Sequence, residues 1–233
     1  MEHDIRAFAS LPSTNLYAKQ NLPQLKDGEV IWAKEQTQGR GRLGRKWDGE
    51  EGALCFSLVL KRFPNPELLP LLTGVALAWS SEGYGLSPLL KWPNDLILGS
   101  KKAAGILVEG VYEAPCRAYV VGVGVNLSQK AFPTTLPNAT SFYLQGKGSI
   151  DPSSFLESFL AQFDRAKEEQ SSALAYLRSH DFLLGQEITL DYYGEGIHGK
   201  EVGIDGQGKL LLQKDDGSIQ TISSGEASLL RKR

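Results

Sequence analysis

The sequence predicts an α+β fold, in which helices pack on a mixed β-sheet and a small all-β domain follows. Apolar, largely β-branched runs typical of strands occupy residues 54–60 and 118–127. Apolar side chains recur at helical spacing over residues 67–84 and 152–177. After Gly185 the pattern changes to short strands separated by glycine-rich turns, at residues 187–193, 198–204, 209–214 and 218–223. We therefore expect two domains, 1–184 and 185–233, the second a small barrel or sandwich.

Composition limits the classes of function. The chain has 233 residues, of which 41% are hydrophobic and 22% charged, as in ordinary globular proteins. A net charge of −2 argues against general nucleic-acid binding, which needs a broad basic face. The two cysteines, Cys55 and Cys116, indicate a reduced protein rather than a disulfide framework. No apolar run is long enough to span a bilayer and the N-terminus lacks a basic region, so the sequence predicts a cytoplasmic protein.

The first polar cluster is Ser13-Thr14-Asn15, which precedes a segment with helical spacing. Hydroxyl and amide side chains at this place favour a helix N-cap, because they satisfy free backbone N–H groups. The same position is also suited to a polar ligand, and the two roles are compatible.

A basic, glycine-rich loop follows the next strand, as Gly39-Arg40-Gly41-Arg42-Leu43-Gly44-Arg45-Lys46-Trp47. Its glycines let the backbone approach a ligand, and its guanidinium groups suit phosphate or carboxylate. The match to the dinucleotide-binding pattern is accidental, because turn residues follow instead of a helix, and no Lys-Ser or Lys-Thr pair completes a P-loop. A solvated basic turn is the alternative interpretation.

Three further segments are candidate parts of a site. Pro93 ends a short strand, and Asn94 and Asp95 either form a turn or place an amide and a carboxylate at the mouth of a site. Gly99-Ser100 predicts a hairpin, after which Lys101 and Lys102 would be solvated, judging from position alone.

The third segment is a strand with one face almost free of side chains. Alternation places Val121, Val123 and Val125 on one face and Gly122, Gly124 and Asn126 on the other. Two glycines on one face suggest that a flat group lies against the backbone, although close packing of a helix would also explain them. The scattered histidines His3, His180 and His198 have no spacing typical of metal ligands.

Together these motifs resemble the biotin–protein ligase family. The resemblance lies in the loop 39–47, in Lys91-Trp92-Pro93-Asn94-Asp95, in residues 102–109, in Gly122-Val123-Gly124-Val125-Asn126 and in Ser13-Thr14-Asn15. It implies a catalytic domain like that of class II aminoacyl-tRNA synthetases and an SH3-like C-terminal β-barrel. It also implies that biotin and ATP with Mg²⁺ form biotinyl-5′-AMP, from which biotin passes to a lysine of a biotin carboxyl carrier protein.

The resemblance also implies roles for residues. Catalysis would fall to Lys102, Arg42 and Asp95. Biotin would be bound by Ser13, Thr14, Asn15, Gln36, Gly39, Arg40, Gly41, Arg42, Lys102, Gly122 and Gly124. ATP would be bound by Arg40, Arg42, Arg45, Trp47, Asn94, Lys102 and Asn126. No metal is expected on protein ligands alone, since ATP phosphates would hold most of the Mg²⁺ coordination.

Two departures from the family pattern qualify these expectations. Ser13 lies too close to Met1 for the DNA-binding domain that some members carry, so the resemblance implies a monofunctional ligase, monomer or homodimer, without DNA or membrane partners. Leu230 stands where relatives often have arginine, with Arg231 one place later, which leaves open the role of this end in ATP binding.

Two alternative functions remain at this stage. A lipoate–protein ligase has a related catalytic fold and the same adenylate chemistry. An RNA-binding module would use the basic loop and the β domain, but it leaves the glycine face and Lys102 unexplained.

Overall fold

The computed structural model describes residues 3–49, 51–112, 118–192, 195–223 and 225–229. Its strands are β1 Ile5–Leu11, β2 Val30–Gln36, β3 Ala53–Leu60, β4 Leu89–Lys91, β5 Asp95–Leu98, β6 Lys101–Val111, β7 Ala118–Asn126, β8 Glu187–Tyr192, β9 Glu195–Ile204, β10 Leu210–Gln213, β11 Ile219–Ile222 and β12 Glu226–Leu229. Its α-helices are α1 Thr14–Gln20, α2 Leu69–Gly83, α3 Pro152–Glu168 and α4 Gln170–Ser179. Cys116, Leu230 and Arg231 lie outside the described residues.

A seven-stranded sheet has the order β1-β2-β3-β7-β6-β5-β4. The β1–β2 pair is parallel and the other pairs are antiparallel, which confirms the predicted mixed sheet. β7 lies at the centre of the sheet, between β3 and β6. Of the residues that the structure describes, none belong to a helix long and apolar enough to cross a membrane.

The two faces of this sheet are covered by different helices. Val121, Val123 and Val125 face the large core beneath α2 and α3, where Phe155, Phe159 and Phe163 are fully buried. The opposite face is covered at one end by Ala18 of α1 and by Leu22 and Leu25 beyond it, which pack on Ile31, Val59 and Val120. Because α1 is short, the rest of this second face is left for a cavity.

The C-terminal sheet is antiparallel with the order β11-β10-β9-β8-β12, as predicted for an all-β domain. Sequence patterns predicted four strands and missed β12, which has only four residues. Within the described residues no ladder joins β11 to β12, so hydrogen bonds do not close the sheet there. The boundary between residues 184 and 185 stays a prediction.

Direct contacts join the C-terminal sheet to the rest of the chain. The buried indole of Trp92 donates a hydrogen bond to the carbonyl of Gly208 at 3.1 Å. Gly208 has a φ of +78°, and an added Cβ would lie 2.4 Å from Leu71 Cδ1, so another residue here would be strained and would displace the end of Leu71. The guanidinium of Arg178 donates to the carbonyls of Ile204 and Asp205.

A pair of carboxyl groups, Asp181 and Glu201, is enclosed at the same junction. Asp181 Oδ1 accepts from the N–H of Leu183, and Glu201 Oε1 accepts from the N–H of Gly203. Burial raises the pKa of Asp181 to about 6. Burial, together with the charge of Asp181, raises the pKa of Glu201 to about 7. The folded protein therefore retains protons that the unfolded chain releases.

This pair predicts how stability depends on pH. The pKa of Glu201 in the folded protein, about 7, exceeds the ordinary value of 4.5. Its contribution to the free energy of unfolding therefore falls as the pH rises from 4.5 to about 7 and is constant above that range. The side chain in Glu201→Gln stays neutral at every pH. The free energy of unfolding of this variant should equal that of the unsubstituted protein at about pH 4 and exceed it by roughly 1–3 kcal/mol at about pH 8. Urea unfolding at both pH values measures this, with the exposed Glu187→Gln as control. A difference independent of pH would contradict the assignment.

Candidate active site

A cavity of about 550 Å³ lies on the sheet face that α1 leaves uncovered. It is bounded by residues of strands β2 to β7, by the basic loop 39–47, by the segment 129–139 and by Ala227 of β12. Its size is typical of small-molecule sites. Among the described residues, seven cationic side chains line it, namely Arg40, Arg42, Arg45, Lys46, Lys91, Lys102 and Lys130. The described carboxylates in the lining are Asp48, Glu51 and Asp95. The cavity is therefore suited to an anionic ligand.

One end of the cavity is polar and uncharged. Ser13 caps α1, as predicted, and its Oγ accepts from the N–H of Leu16 at 3.4 Å. Gln36 Oε1 accepts from the N–H of Thr14 at 2.8 Å and lies 3.1 Å from Thr14 Oγ1. Ser13, Thr14 and Asn15 are all buried. Three of the predicted biotin-site residues, Ser13, Thr14 and Gln36, thus meet at one place.

Two protein side chains lie on the glycine face of β7. An added Cβ at Gly124 would stand 2.3 Å from Trp47 Cε2, and one at Gly122 would stand 2.3 Å from Asn15 Oδ1. The predicted close approach to this backbone is thus made by an indole and an amide. Trp47 lies on the glycine strand in this structure, and its predicted contact with adenine stays a prediction.

The basic loop forms a short hairpin at the mouth of the cavity. The N–H of Gly41 donates to the carbonyl of Arg45 at 2.7 Å, and the N–H of Trp47 donates to the carbonyl of Gly39 at 3.0 Å. Arg42 Nη1 donates to Asn94 Oδ1 at 3.2 Å, which connects the loop to the turn before β5. The loop is therefore folded against the site, and the interpretation as a freely solvated turn is wrong for Arg42.

Lys102 and Asp95 form an ion pair inside the cavity. Lys102 Nζ lies 2.6 Å from Asp95 Oδ1 and 5.7 Å from the ring centroid of Trp47. The predicted hairpin at Gly99-Ser100 joins β5 to β6 and places the two residues on neighbouring strands. Position alone favours a solvated hairpin lysine; Lys102 is instead ion-paired, although its side chain is 36% exposed.

The two asparagines predicted to bind ATP, Asn94 and Asn126, hold loops in place. Asn94 Nδ2 donates to the carbonyl of Ile106 at 2.9 Å, while its Oδ1 accepts from Arg42. Asn126 Nδ2 donates to the carbonyl of Thr140 at 2.9 Å, and its Oδ1 accepts from Gln129 Nε2 at 3.1 Å. Both amides therefore have protein partners at the edge of the cavity, and a nucleotide contact for either one stays a prediction.

Sequence reasoning missed two residues beside the cavity, Ser57 and Glu109. The hydroxyl of Ser57 lies 2.6 Å from Asn15 Oδ1, and Glu109 Oε2 accepts from Asn15 Nδ2 at 2.8 Å. For Ser57, the signal in the sequence was a single hydroxyl side chain within the otherwise apolar strand β3. Residues 129–133 and 135–139 also line the cavity, and no sequence motif had marked them.

The chain matches two family descriptions. Residues 7–126 match the Biotin/lipoate A/B protein ligase family, and residues 183–230 match the Biotin protein ligase C terminal domain. Among curated proteins, the chain is 30% identical to the bifunctional ligase/repressor BirA of Bacillus subtilis (strain 168), over 97% of this chain and 73% of that protein. It is 32% identical to the biotin–[acetyl-CoA-carboxylase] ligase of Paracoccus denitrificans, over 94% of this chain and 98% of the relative.

A solved structure shows the same similarity in three dimensions. The biotin protein ligase of Aquifex aeolicus in complex with biotin and ATP superposes with a TM-score of 0.88. The two chains are 32% identical, and the match covers 98% of this chain and 99% of the other.

The position of Trp47 gives a prediction. Gly124→Ala should lower the free energy of unfolding by about 1–3 kcal/mol, because the new methyl group overlaps the indole. In a Trp47→Ala background the same change should cost much less, since the overlapping ring is gone. Urea unfolding of the four proteins measures the coupling. Equal costs in the two backgrounds would show that the indole does not lie on Gly124.

Proposed function

The chain belongs to the biotin/lipoate A/B protein ligase family, and we propose that it is a biotin–protein ligase that uses ATP. It would activate biotin as biotinyl-5′-AMP and transfer the biotinyl group to a lysine of a biotin carboxyl carrier protein. Support comes from relatives named as biotin ligases and from the similar Aquifex aeolicus ligase, which was solved with biotin and ATP.

The observation that carries this proposal is the division of the cavity into two chemically different ends. The end formed by Ser13, Thr14 and Gln36 is polar without charge, which suits the ureido ring of biotin. A buried ureido group without partners would cost about 1–3 kcal/mol for each lost hydrogen bond. The other end is cationic, which suits the carboxylate of biotin and the phosphates of ATP.

In the first half-reaction, a biotin carboxylate oxygen attacks the α-phosphorus of ATP and pyrophosphate leaves. Both reactants are anions, so cations must hold them together. Lys102 lies beside Asp95 and near the indole of Trp47, where its ammonium group would contact both the carboxylate and the α-phosphate. Arg40, Arg42 and Arg45 would neutralise the remaining phosphate charge from the loop.

In the second half-reaction, the amine of the carrier lysine attacks the carbonyl carbon of biotinyl-5′-AMP and AMP leaves. A lysine has an ordinary pKa of about 10.4, so the amine must lose a proton before it attacks. Asp95, whose carboxylate lies in the cavity beside Lys102, would orient this amine and accept the proton. The loop 39–47, including Trp47, would exclude water from the mixed anhydride of biotinyl-5′-AMP.

Mg²⁺ would enter with the nucleotide. Among the described residues no cluster of three or more His, Cys, Asp or Glu side chains could hold a metal, and the Asp95 carboxylate in the cavity is paired with Lys102. This set of groups fits an ion held mainly by phosphate oxygens, whose charge it would neutralise.

Incubation with ATP, Mg²⁺, biotin and a carrier domain tests the proposal. Intact mass measurement should show one added biotinyl group on the carrier, and lipoate in place of biotin should add nothing. Modification by lipoate alone would overturn the choice of biotin, and no modification with either acid would overturn the ligase assignment.

Lys102 should be required for adenylate formation. Lys102→Ala should lower the rate of biotin-dependent pyrophosphate release by roughly 100-fold or more, because the developing charge loses its nearest cation. Lys101→Ala is a matched control from the same hairpin, where the side chain is exposed. Near-normal release by Lys102→Ala would remove Lys102 from the mechanism.

Asp95 should act mainly in the transfer step. Asp95→Asn retains an oxygen that can accept from Lys102 but cannot take a proton, so pyrophosphate release should change little. Transfer from isolated biotinyl-5′-AMP to the carrier should slow by about 10²-fold or more. The exposed Asp215→Asn serves as control. Equal losses in both steps would argue against this role.

A further inference from the structure

A row of hydrogen-bonding groups lies behind the uncharged end of the cavity. It begins at Lys19 on α1, whose Nζ is 2.5 Å from Glu109 Oε1 on β6. Glu109 Oε2 accepts from Asn15 Nδ2 at 2.8 Å, and Asn15 Oδ1 lies 2.6 Å from Ser57 Oγ. Ser57 Oγ is 2.7 Å from Thr14 Oγ1, which lines the cavity. A charged pair is therefore connected to the ligand-facing hydroxyl through two buried side chains.

Glu109 determines which way the Asn15 amide points. The two ends of an amide have nearly the same shape, so their partners decide the orientation. An ionised carboxylate only accepts hydrogen bonds, and so does the carbonyl of Leu107, which lies 3.3 Å from Nδ2. The amide nitrogen must face these two acceptors. Asn15 Oδ1, which is an acceptor, then faces the hydroxyl of Ser57.

The hydroxyl protons follow from this orientation. Two acceptors, Asn15 Oδ1 and Gln36 Oε1, are separated by the hydroxyls of Ser57 and Thr14. Three oxygen–oxygen contacts, of 2.6, 2.7 and 3.1 Å, therefore share two protons. The contact without a proton should be the longest, which is the one between Thr14 and Gln36.

This arrangement makes the ligand-facing atoms acceptors. With no proton in the longest contact, Ser57 donates to Asn15, and Thr14 donates to Ser57 instead of to Gln36, to which its geometry also allows it to donate. Lone pairs of Thr14 Oγ1 and Gln36 Oε1 then remain available at the end of the cavity. They are the partners that a ligand with two N–H donors on a planar ring needs. With an Asn15 amide turned round, both hydroxyl protons would shift towards Gln36 and one acceptor would be lost.

We propose that Glu109 is a positioning residue for biotin. Glu109 fixes the orientation of the Asn15 amide, and through Ser57 this orientation leaves Thr14 and Gln36 as acceptors for the ureido N–H groups. The inference rests on the proposed function. Glu109 touches no substrate itself, and Lys19 balances its charge at the protein surface, where both side chains are 31% exposed.

Glu109→Gln tests this role, because it keeps the shape and adds a donor. The amide of residue 109 must then turn a donor either to Asn15 or to Lys19, so the orientation of Asn15 is held by the longer contact with the carbonyl of Leu107, at 3.3 Å, and is less firmly fixed. Biotin binding measured by calorimetry should weaken by roughly 10- to 100-fold. The KM for biotin should rise with it, while the KM for ATP and kcat at saturating biotin should stay within about twofold. The exposed Glu157→Gln is the control, with no change expected.

A double-mutant cycle separates positioning from general damage. Ser57→Ala interrupts the same row, so it should weaken biotin binding to a similar extent, and adding Glu109→Gln should weaken it little further. If Glu109→Gln does not fold, Glu109→Asp is the alternative, because it retains the charge but draws the carboxylate back from Asn15. Biotin binding should then weaken less than is expected for Glu109→Gln.

Several results would overturn the proposal. These are biotin affinity within twofold of the unsubstituted protein in the folded variant, an equal rise in the KM for ATP, or additive losses in the cycle. No biotin binding by the unsubstituted protein would instead overturn the proposed function, and the inference with it. If the unsubstituted protein binds biotin tightly and Glu109→Gln binds it equally well, only the role of Glu109 is overturned.

Discussion

The pairing of β7 with β3 and β6 is the constraint on which the site depends. Its register places Gly122 between Ser57 and Leu107, and Gly124 between Cys55 and Gly105. A shift by one residue would turn the valines of β7 towards the cavity and the glycines into the core. The strand β6 carries Lys102 near its start and Glu109 near its end, so both ends of the cavity depend on the position of this one strand.

The structure also explains why the thiol beneath this site is protected. Cys55 pairs with Gly124 and is only 2% exposed, below the indole of Trp47. Burial raises the pKa of its thiol to about 12, so the reactive thiolate is scarce at neutral pH. A thiol near an acyl-adenylate could compete with the carrier lysine as a nucleophile, and burial removes this competitor.

Patterns along the chain predicted the parts of the site that depend on near neighbours. The Ser13 cap, the hairpin at Gly99-Ser100 and the glycine face of β7 follow from local spacing. The contacts of Ser57 and Glu109 with Asn15 cross 42 and 94 residues of chain, and no local pattern encodes them. The ion pair of Lys102 was hidden for a related reason, since a lysine after a turn is ordinarily solvated.

The hydrogen bond between the Trp92 indole and the Gly208 carbonyl joins the two sheets at a sensitive point. Trp92 immediately precedes Pro93, Asn94 and Asp95, so the turn that carries the cavity carboxylate is held from outside its own sheet. A chimera that exchanged the C-terminal segment for that of a relative would have to reproduce this tight turn and its φ of +78°. The C-terminal sheet therefore helps to hold the turn that carries Asp95.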